Sequence, residues 1–321
     1  PEVAARGRAT LEELRNRSTE HFAAATQSLA EAARRDDPAR ALALMEELIG
    51  SDPGNWTWRV RRLDLVRAAR PDTVAREVET LWSNTRSVGQ RLDLLARIAE
   101  WAGPSAARAY LDRLPRGERL DGNVRLIEIA LLWRDERWSD IVAIANEDTR
   151  RNGVTPVQRV NFWLWLARAQ AKLGDNSLSQ LGLRNALQEC GTNAQLAMDS
   201  GDLLVNWGDL DGATRFYERA IEGTRELRVP AYTKLINAYQ ARRDTPGMLR
   251  CFEELNRLVP NNAAIRNNIA ALLLVLKREL PRAARMAEEN YKAAPGNPLI
   301  ADTYARALAL TGNLPRALEV Y

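Results

Sequence analysis

One spacing constrains this chain more than any other property. Taking a small residue on the second helix of a helix pair as a ruler, equivalent positions fall at Ala41, Ala75, Ala107, Ile141, Ser179, Ala213, Met248, Ala283 and Ala317, at intervals of 32 to 38 residues. A period of this length marks a repeat architecture, in which no unit buries its apolar face alone and neighbours must stack to form a continuous core. The unit is clearest around Gly208. From Ala194 to Trp207 the apolar residues Leu196, Ala197, Leu203, Leu204 and Trp207 recur at helical spacing. Gly208-Asp209 interrupts that pattern, and Leu210 to Glu222 resumes it through Ala213, Phe216, Tyr217 and Ala220. Two helices joined by so short a turn lie antiparallel. Gly201, Ala213 and Ala220 mark where the backbones approach closely, and Tyr217 fills the space beside them.

The rest of the chain reads the same way. Ala9 to Arg35 reads as one long helical stretch ahead of the first turn. Turn signals stand at Asp36-Asp37-Pro38, Gly103-Pro104, Gly174-Asp175, Gly208-Asp209 and Gly312-Asn313; stops stand at Asp52-Pro53-Gly54, Leu114-Pro115, Pro260-Asn261 and Pro295-Gly296. With 321 residues, 45% of them hydrophobic, the chain exceeds what one compact core usually serves, so a repeat array or several domains is expected. Charged residues make up 27%, which argues against wholesale disorder. The net charge is +4, and the basic side is nearly all arginine, with lysine only at positions 172, 234, 277 and 292. Acids are interspersed among the arginines throughout, the pattern of solvated helix faces rather than of a nucleic-acid surface.

These features together resemble a tetratricopeptide-repeat protein. The match is strongest from Val160 to Tyr321, where Trp163, Leu166, Ala167, Gly174, Leu183 and Ala186 stand in the family's positions, and Tyr232, Leu235, Tyr239, Phe252 and Pro260 repeat them. In earlier repeats the small residue of the first helix is replaced by Leu29, Leu63, Leu95 and Ile129, which implies helices splayed further apart. The resemblance implies an all-α fold, a right-handed α-α superhelix of about nine helix-turn-helix pairs. Divergent repeats would occupy residues 1–159 and well-matched repeats 160–321, in one continuous solenoid with a truncated last repeat. The strings Asn267-Asn268-Ile269-Ala270 and Asp302-Thr303-Tyr304-Ala305 are similar to those of bacterial envelope and exopolysaccharide-export members.

Chemistry-bearing motifs are scarce. The one histidine, His21, has no triad or metal partner in sequence, and no Cys-x-x-Cys, dinucleotide loop, phosphate loop or His-Glu-x-x-His string occurs. The expectation is a protein that is not an enzyme, with no catalytic residues, no metal and no cofactor. Cys190 and Cys251 fall two repeats apart, too far to bridge, and read as buried filler. Trp82, Trp101, Trp138 and Trp163 sit on apolar stripes and read as packing. Trp133 maps to the face that lines the groove in the resembling family, where an aromatic either packs on its neighbours or stacks on a proline ring, a sugar or a base.

Function in such an array is surface chemistry, and the first helix of each pair lines the groove. One groove position carries Asp64, Arg168, Asp202, Asn237 and Arg306, with Leu272 breaking the row; Asn268 and Asp302 hold a neighbouring position. Amides offer donor and acceptor together, so they hold the backbone of an extended peptide whatever its sequence. The lysine-and-asparagine set that clamps chaperone tails in some family members is absent. The leading expectation is therefore a protein-interaction scaffold gripping a peptide or partner domain in its groove. The alternative is an envelope or exopolysaccharide-export assembly component contacting glycan and protein, and a third reading is single-stranded RNA binding, which Asp64, Asp202 and Asp302 oppose. Protein partners are thus expected and nucleic acid is not, and the solenoid ends offer a route to oligomers. No apolar run long enough to span a membrane appears. The expectation is a soluble protein, cytoplasmic, or periplasmic or envelope-anchored if a signal or anchor precedes Pro1. A start at Pro1 without methionine reads as a processed or cut chain. The register places Tyr321 in the middle of a second helix, so continuation beyond it is expected.

Overall fold

The computed structural model describes residues 2–17 and 19–320. Pro1 and Tyr321 lie outside the described residues, and so do the expectations placed on them. Among the described residues the fold is all-α, with no β-strand. The chain divides into two compact units, Pro1–Asp140 and Ile141–Tyr321.

The first unit holds α1 (Glu2–Arg17), α2 (Thr19–Ala33), α3 (Pro38–Ser51), α4 (Trp56–Ala69) and α5 (Val74–Ser83). It continues with α6 (Val88–Ala102), α7 (Pro104–Leu111), a short α8 (Arg116–Arg119), α9 (Gly122–Arg134) and the start of α10 (Trp138–Arg150). The stretch Ala9–Arg35, expected as one helix, is two helices packed on one another. Leu11 of α1 reaches the core around Leu29, Ala41 and Leu42, and that burial is what a helix folded back gains over one running on into solvent. Leu29, Leu63, Leu95 and Ile129, which stand where a small residue was expected, are all buried. Asp37 caps α3 by accepting from the Arg40 amide at 3.0 Å, and Gly103 (φ 86°) turns the chain from α6 into α7.

The second unit continues from α10 through α11 (Pro156–Lys172), α12 (Asn176–Cys190), α13 (Ala194–Asn206), α14 (Leu210–Ile221) and α15 (Arg225–Ala241). It ends with α16 (Thr245–Leu258), α17 (Ala263–Val275), α18 (Leu280–Ala293), α19 (Pro298–Leu310) and α20 (Leu314–Val320). From α11 on, each helix packs on the next, and first helices of successive pairs also meet, α11 on α13, α13 on α15 and α17 on α19. One core runs through α11 to α16, with Phe216 and Tyr217 buried among Leu196, Leu204 and Leu235; a second gathers Ile269, Leu273, Ala283 and Ala287. Gly201 shows the logic of the small positions, because a Cβ there would overlap the ring of Tyr217. Cys190 and Cys251 are buried and free, and burial pushes their thiols up to about 11 and about 12.

The repeat is written in the backbone as well as in the sequence. Among the residues with positive φ, six close the first helix of a pair: Glu136 (φ 58°), Gly174 (85°), Gly208 (82°), Arg243 (57°), Lys277 (51°) and Gly312 (92°). After each, the next amide donates to the carbonyl five residues back: Arg137 to Leu132, Asp175 to Gln170, Asp209 to Leu204, Asp244 to Tyr239, Arg278 to Leu273 and Asn313 to Leu308, all at 2.8–3.0 Å. This is the Schellman ending, which satisfies a carbonyl that the helix leaves open. In four turns the following side chain also caps the next helix: Asp175, Asp209 and Asp244 accept from the amides of Leu178, Gly212 and Gly247 at 2.8–2.9 Å, and Asn313 accepts from Arg316 at 3.3 Å. A turn so short leaves the two helices no arrangement but an antiparallel pair.

Candidate functional site

The groove residues expected from sequence fall into several separate environments. Two of them, Asn237 on α15 and Asn268 on α17, line one hollow of about 700 Å³ inside the second unit. Its floor is α16, where half-buried Met248 and Phe252 and buried Leu255 form an apolar strip. Its walls are columns of side chains at helical spacing, Val229, Thr233 and Asn237 on one side, Ile265, Asn268 and Leu272 on the other. Leu272, which breaks the polar row in sequence, supplies an apolar wall.

The hollow opens where contact between neighbouring first helices is slight, in contrast to the close approach of α13 to α15 and of α17 to α19. Ile236 holds the register position occupied by Ala167, Gly201, Ala270 and Ala305 in neighbouring repeats, and its bulk forms part of the wall. Asn237, Gln240 and Asn268 are exposed, and among the described residues none of their side-chain amides is engaged in a hydrogen bond. Other polar rim groups are occupied locally. Thr233 donates to the Val229 carbonyl at 3.0 Å, and Asn262 caps α17 by accepting from the Ile265 amide at 3.1 Å.

The remaining expected residues lie in other settings. Arg168 is laid on two indoles, its guanidinium carbon 5.4 Å from the ring centre of Trp165 and 4.3 Å from that of Trp207. The two rings lie 4.7 Å apart, and burial brings the guanidinium down to about 10. Asp202 accepts from the Tyr217 hydroxyl at 2.7 Å and from Lys234 Nζ at 2.7 Å. Asp302 and Arg306 pair with each other one turn apart on α19, at 3.0 Å.

In the first unit, Trp133 is half-buried with its ring 4.4 Å from that of Trp138. Asp64 lies in a hollow of about 700 Å³ lined also by Glu31, Arg34, Arg61, Met45 and Arg97. Burial raises its carboxyl above the usual carboxylate range, offset in part by Arg97 at 3.2 Å. This hollow is built in a similar way, from first helices α2 and α4 with Met45 of α3 and Arg97 of α6, and it has charged walls instead of neutral ones.

Sequence reasoning did not find Trp165, Trp207 and Gln240. Trp165 and Arg168 share a helix face at a spacing of three, a signal present in the sequence; Trp207 joins them only through the packing of α13 on α11. His21 is exposed on α2. Among the described residues no cluster of His, Cys, Asp or Glu is arranged to hold a metal ion, and no helix is long and apolar enough to cross a membrane.

Helix pairs at this period, six of them closed by the same left-handed turn, define an α-helical repeat protein with a tetratricopeptide-type fold. No protein-family model and no curated protein matches the sequence. Among solved structures, the chain is similar to one from the APC/C hetero-tetramer Cut9-Hcn1, with a TM-score of 0.34 and 16% identity over 94% of this chain. The TPR domain of P58(IPK) gives 0.29 and 15%, covering 90% of this chain and 98% of that one. Pseudomonas aeruginosa pilF gives 0.33 and 14%, covering 73% and 88%. The chain spans 59% of the length of the Cut9-Hcn1 chain it matches. Scores this low carry nothing about function, which rests on the chain's own residues.

Proposed function

We propose that this chain is a non-enzymatic interaction scaffold that holds a segment of a partner protein in the hollow between α15 and α17. One observation carries the reading. Unengaged amides at Asn237, Gln240 and Asn268 stand over an apolar floor at Met248 and Phe252, in a cavity of about 700 Å³. The amides can receive both backbone N–H and C=O groups, while the floor takes side chains out of water. The glycan and RNA readings gain no comparable support. Trp133 packs on Trp138, Arg168 lies on two indoles, and Arg306 is paired with Asp302.

The test is a photo-crosslinking residue placed at position 237 of the full chain in its source cell, with exposed Arg285 on α18 as the control position. The reading expects one protein captured from position 237 and absent from 285. Equal capture from both positions, or none from 237, contradicts it.

A further inference from the structure

The chemistry of the hollow identifies what kind of segment it takes. We infer that the hollow between α15 and α17 selects an extended peptide segment that is uncharged where it is gripped and carries bulky apolar side chains at alternate positions. The inference rests on the interaction reading above and narrows it.

Three observations converge on it. First, none of the side chains lining the hollow is charged, in a chain of which 27% is charged. The contrast with the first unit is sharp, since a hollow built in a similar way there is lined by Arg34, Arg61 and Arg97 with Glu31 and Asp64. A charged group entering the neutral hollow would leave water and meet no counter-ion, which is unfavourable. Second, the amides of Asn237, Gln240 and Asn268 are unengaged among the described residues, whereas that of Asn161, for example, already donates to the Val157 carbonyl at 2.9 Å. Free amides on both walls match the alternating donors and acceptors of an extended backbone. Third, the floor residues Met248 and Phe252 are only half-buried, while Leu255 beneath is closed off, so a strip of apolar surface faces the cavity. In an extended chain alternate side chains point the same way, so every second residue of the segment would meet that strip.

Recognition of this kind has a signature. It depends on amide hydrogen bonds and apolar contact, so it is nearly indifferent to ionic strength, unlike binding to an arginine-lined surface. The experiment is selection of a random heptapeptide phage library on the immobilised full chain, followed by affinity measurement of the enriched synthetic peptides. The expected peptides lack Asp, Glu, Lys and Arg at their core and carry Leu, Phe, Met or Ile at alternate positions. Their affinity should change by less than about twofold between low and high salt. The double substitution Asn237→Ala, Asn268→Ala should weaken them about tenfold, the loss of two modest hydrogen bonds. Both positions are exposed, and an unchanged circular dichroism spectrum certifies the fold of the variant. Enriched peptides that are charged, and that lose affinity on the same double substitution, overturn the inference while leaving the interaction reading intact. Peptides unaffected by the substitution, or no enrichment at all, overturn the interaction reading itself.

Discussion

At Gly201 a single hydrogen atom decides whether two helices can close. A methyl group there would collide with the Tyr217 ring, and that ring cannot swing aside without losing its 2.7 Å hydrogen bond to Asp202. Gly201→Ala should therefore destabilise the protein by about 1–3 kcal/mol, as overpacking of a closed core does, measured as a lower urea midpoint. An unchanged midpoint would mean that α13 and α14 are less tightly apposed. Arg243 poses the opposite case. It carries a Cβ, yet it sits at φ 57°, where glycine at 174, 208 and 312 is at ease. Its side chain is exposed and forms no hydrogen bond or ion pair among the described residues. Replacing it with glycine relieves the left-handed strain at no loss of contact, so Arg243→Gly should raise stability by about 0.5–1 kcal/mol in the same titration.

At the scale of the helix, α15 joins the core to the hollow, and its Tyr239 couples the pair to pH. Burial, reinforced by donation to Glu218 at 2.8 Å, pushes the Tyr239 phenol up to about 12 from an ordinary value of 10.0. Below pH 10 both folded and unfolded chains keep the proton and its contribution to stability is whole. Above it the unfolded chain releases the proton while the folded chain holds it, so stability falls as pH rises from about 10 to about 12. Tyr239→Phe should flatten that alkaline decline by about one proton's worth, read from denaturation midpoints at a series of pH values. An unaltered slope would place the phenol in water.

The helices also show what a sequence can and cannot disclose. Turns at Gly174, Gly208 and Gly312 are legible because glycine takes the left-handed conformation freely. Those at Glu136, Arg243 and Lys277 are equally regular in structure but have no residue signal, because the five-back hydrogen bond holds the turn whatever side chain it carries. Asn237 and Asn268 both line the hollow of the second unit. The cavity between them was not readable. Its width depends on how far apart two helices stand, and Ile236 hints at this only once the neighbouring Ala and Gly positions are aligned with it.

At the scale of the whole chain, each of the core clusters described draws on one unit alone. Those around Leu42 and Leu94 lie within the first 140 residues, and those around Phe216 and Leu273 lie beyond them. Repeat arrays are stabilised by contacts between neighbouring units, so a run of consecutive pairs with its own core can fold without the remainder. A fragment of residues 137–321 keeps α10 whole, together with the Arg137–Asp140 ion pair at its start, and contains the entire hollow. It should give a helical circular dichroism spectrum and a cooperative melting transition of its own. It should also bind the peptides selected on the full chain with an affinity within about threefold, since affinity follows the contacts made and all of these lie within α15 to α17. A fragment that melts without cooperativity would show that the second unit depends on the first for its stability. A fragment that folds but binds at least tenfold more weakly would show that residues before 137 take part in recognition, and the hollow would then be only part of the binding surface.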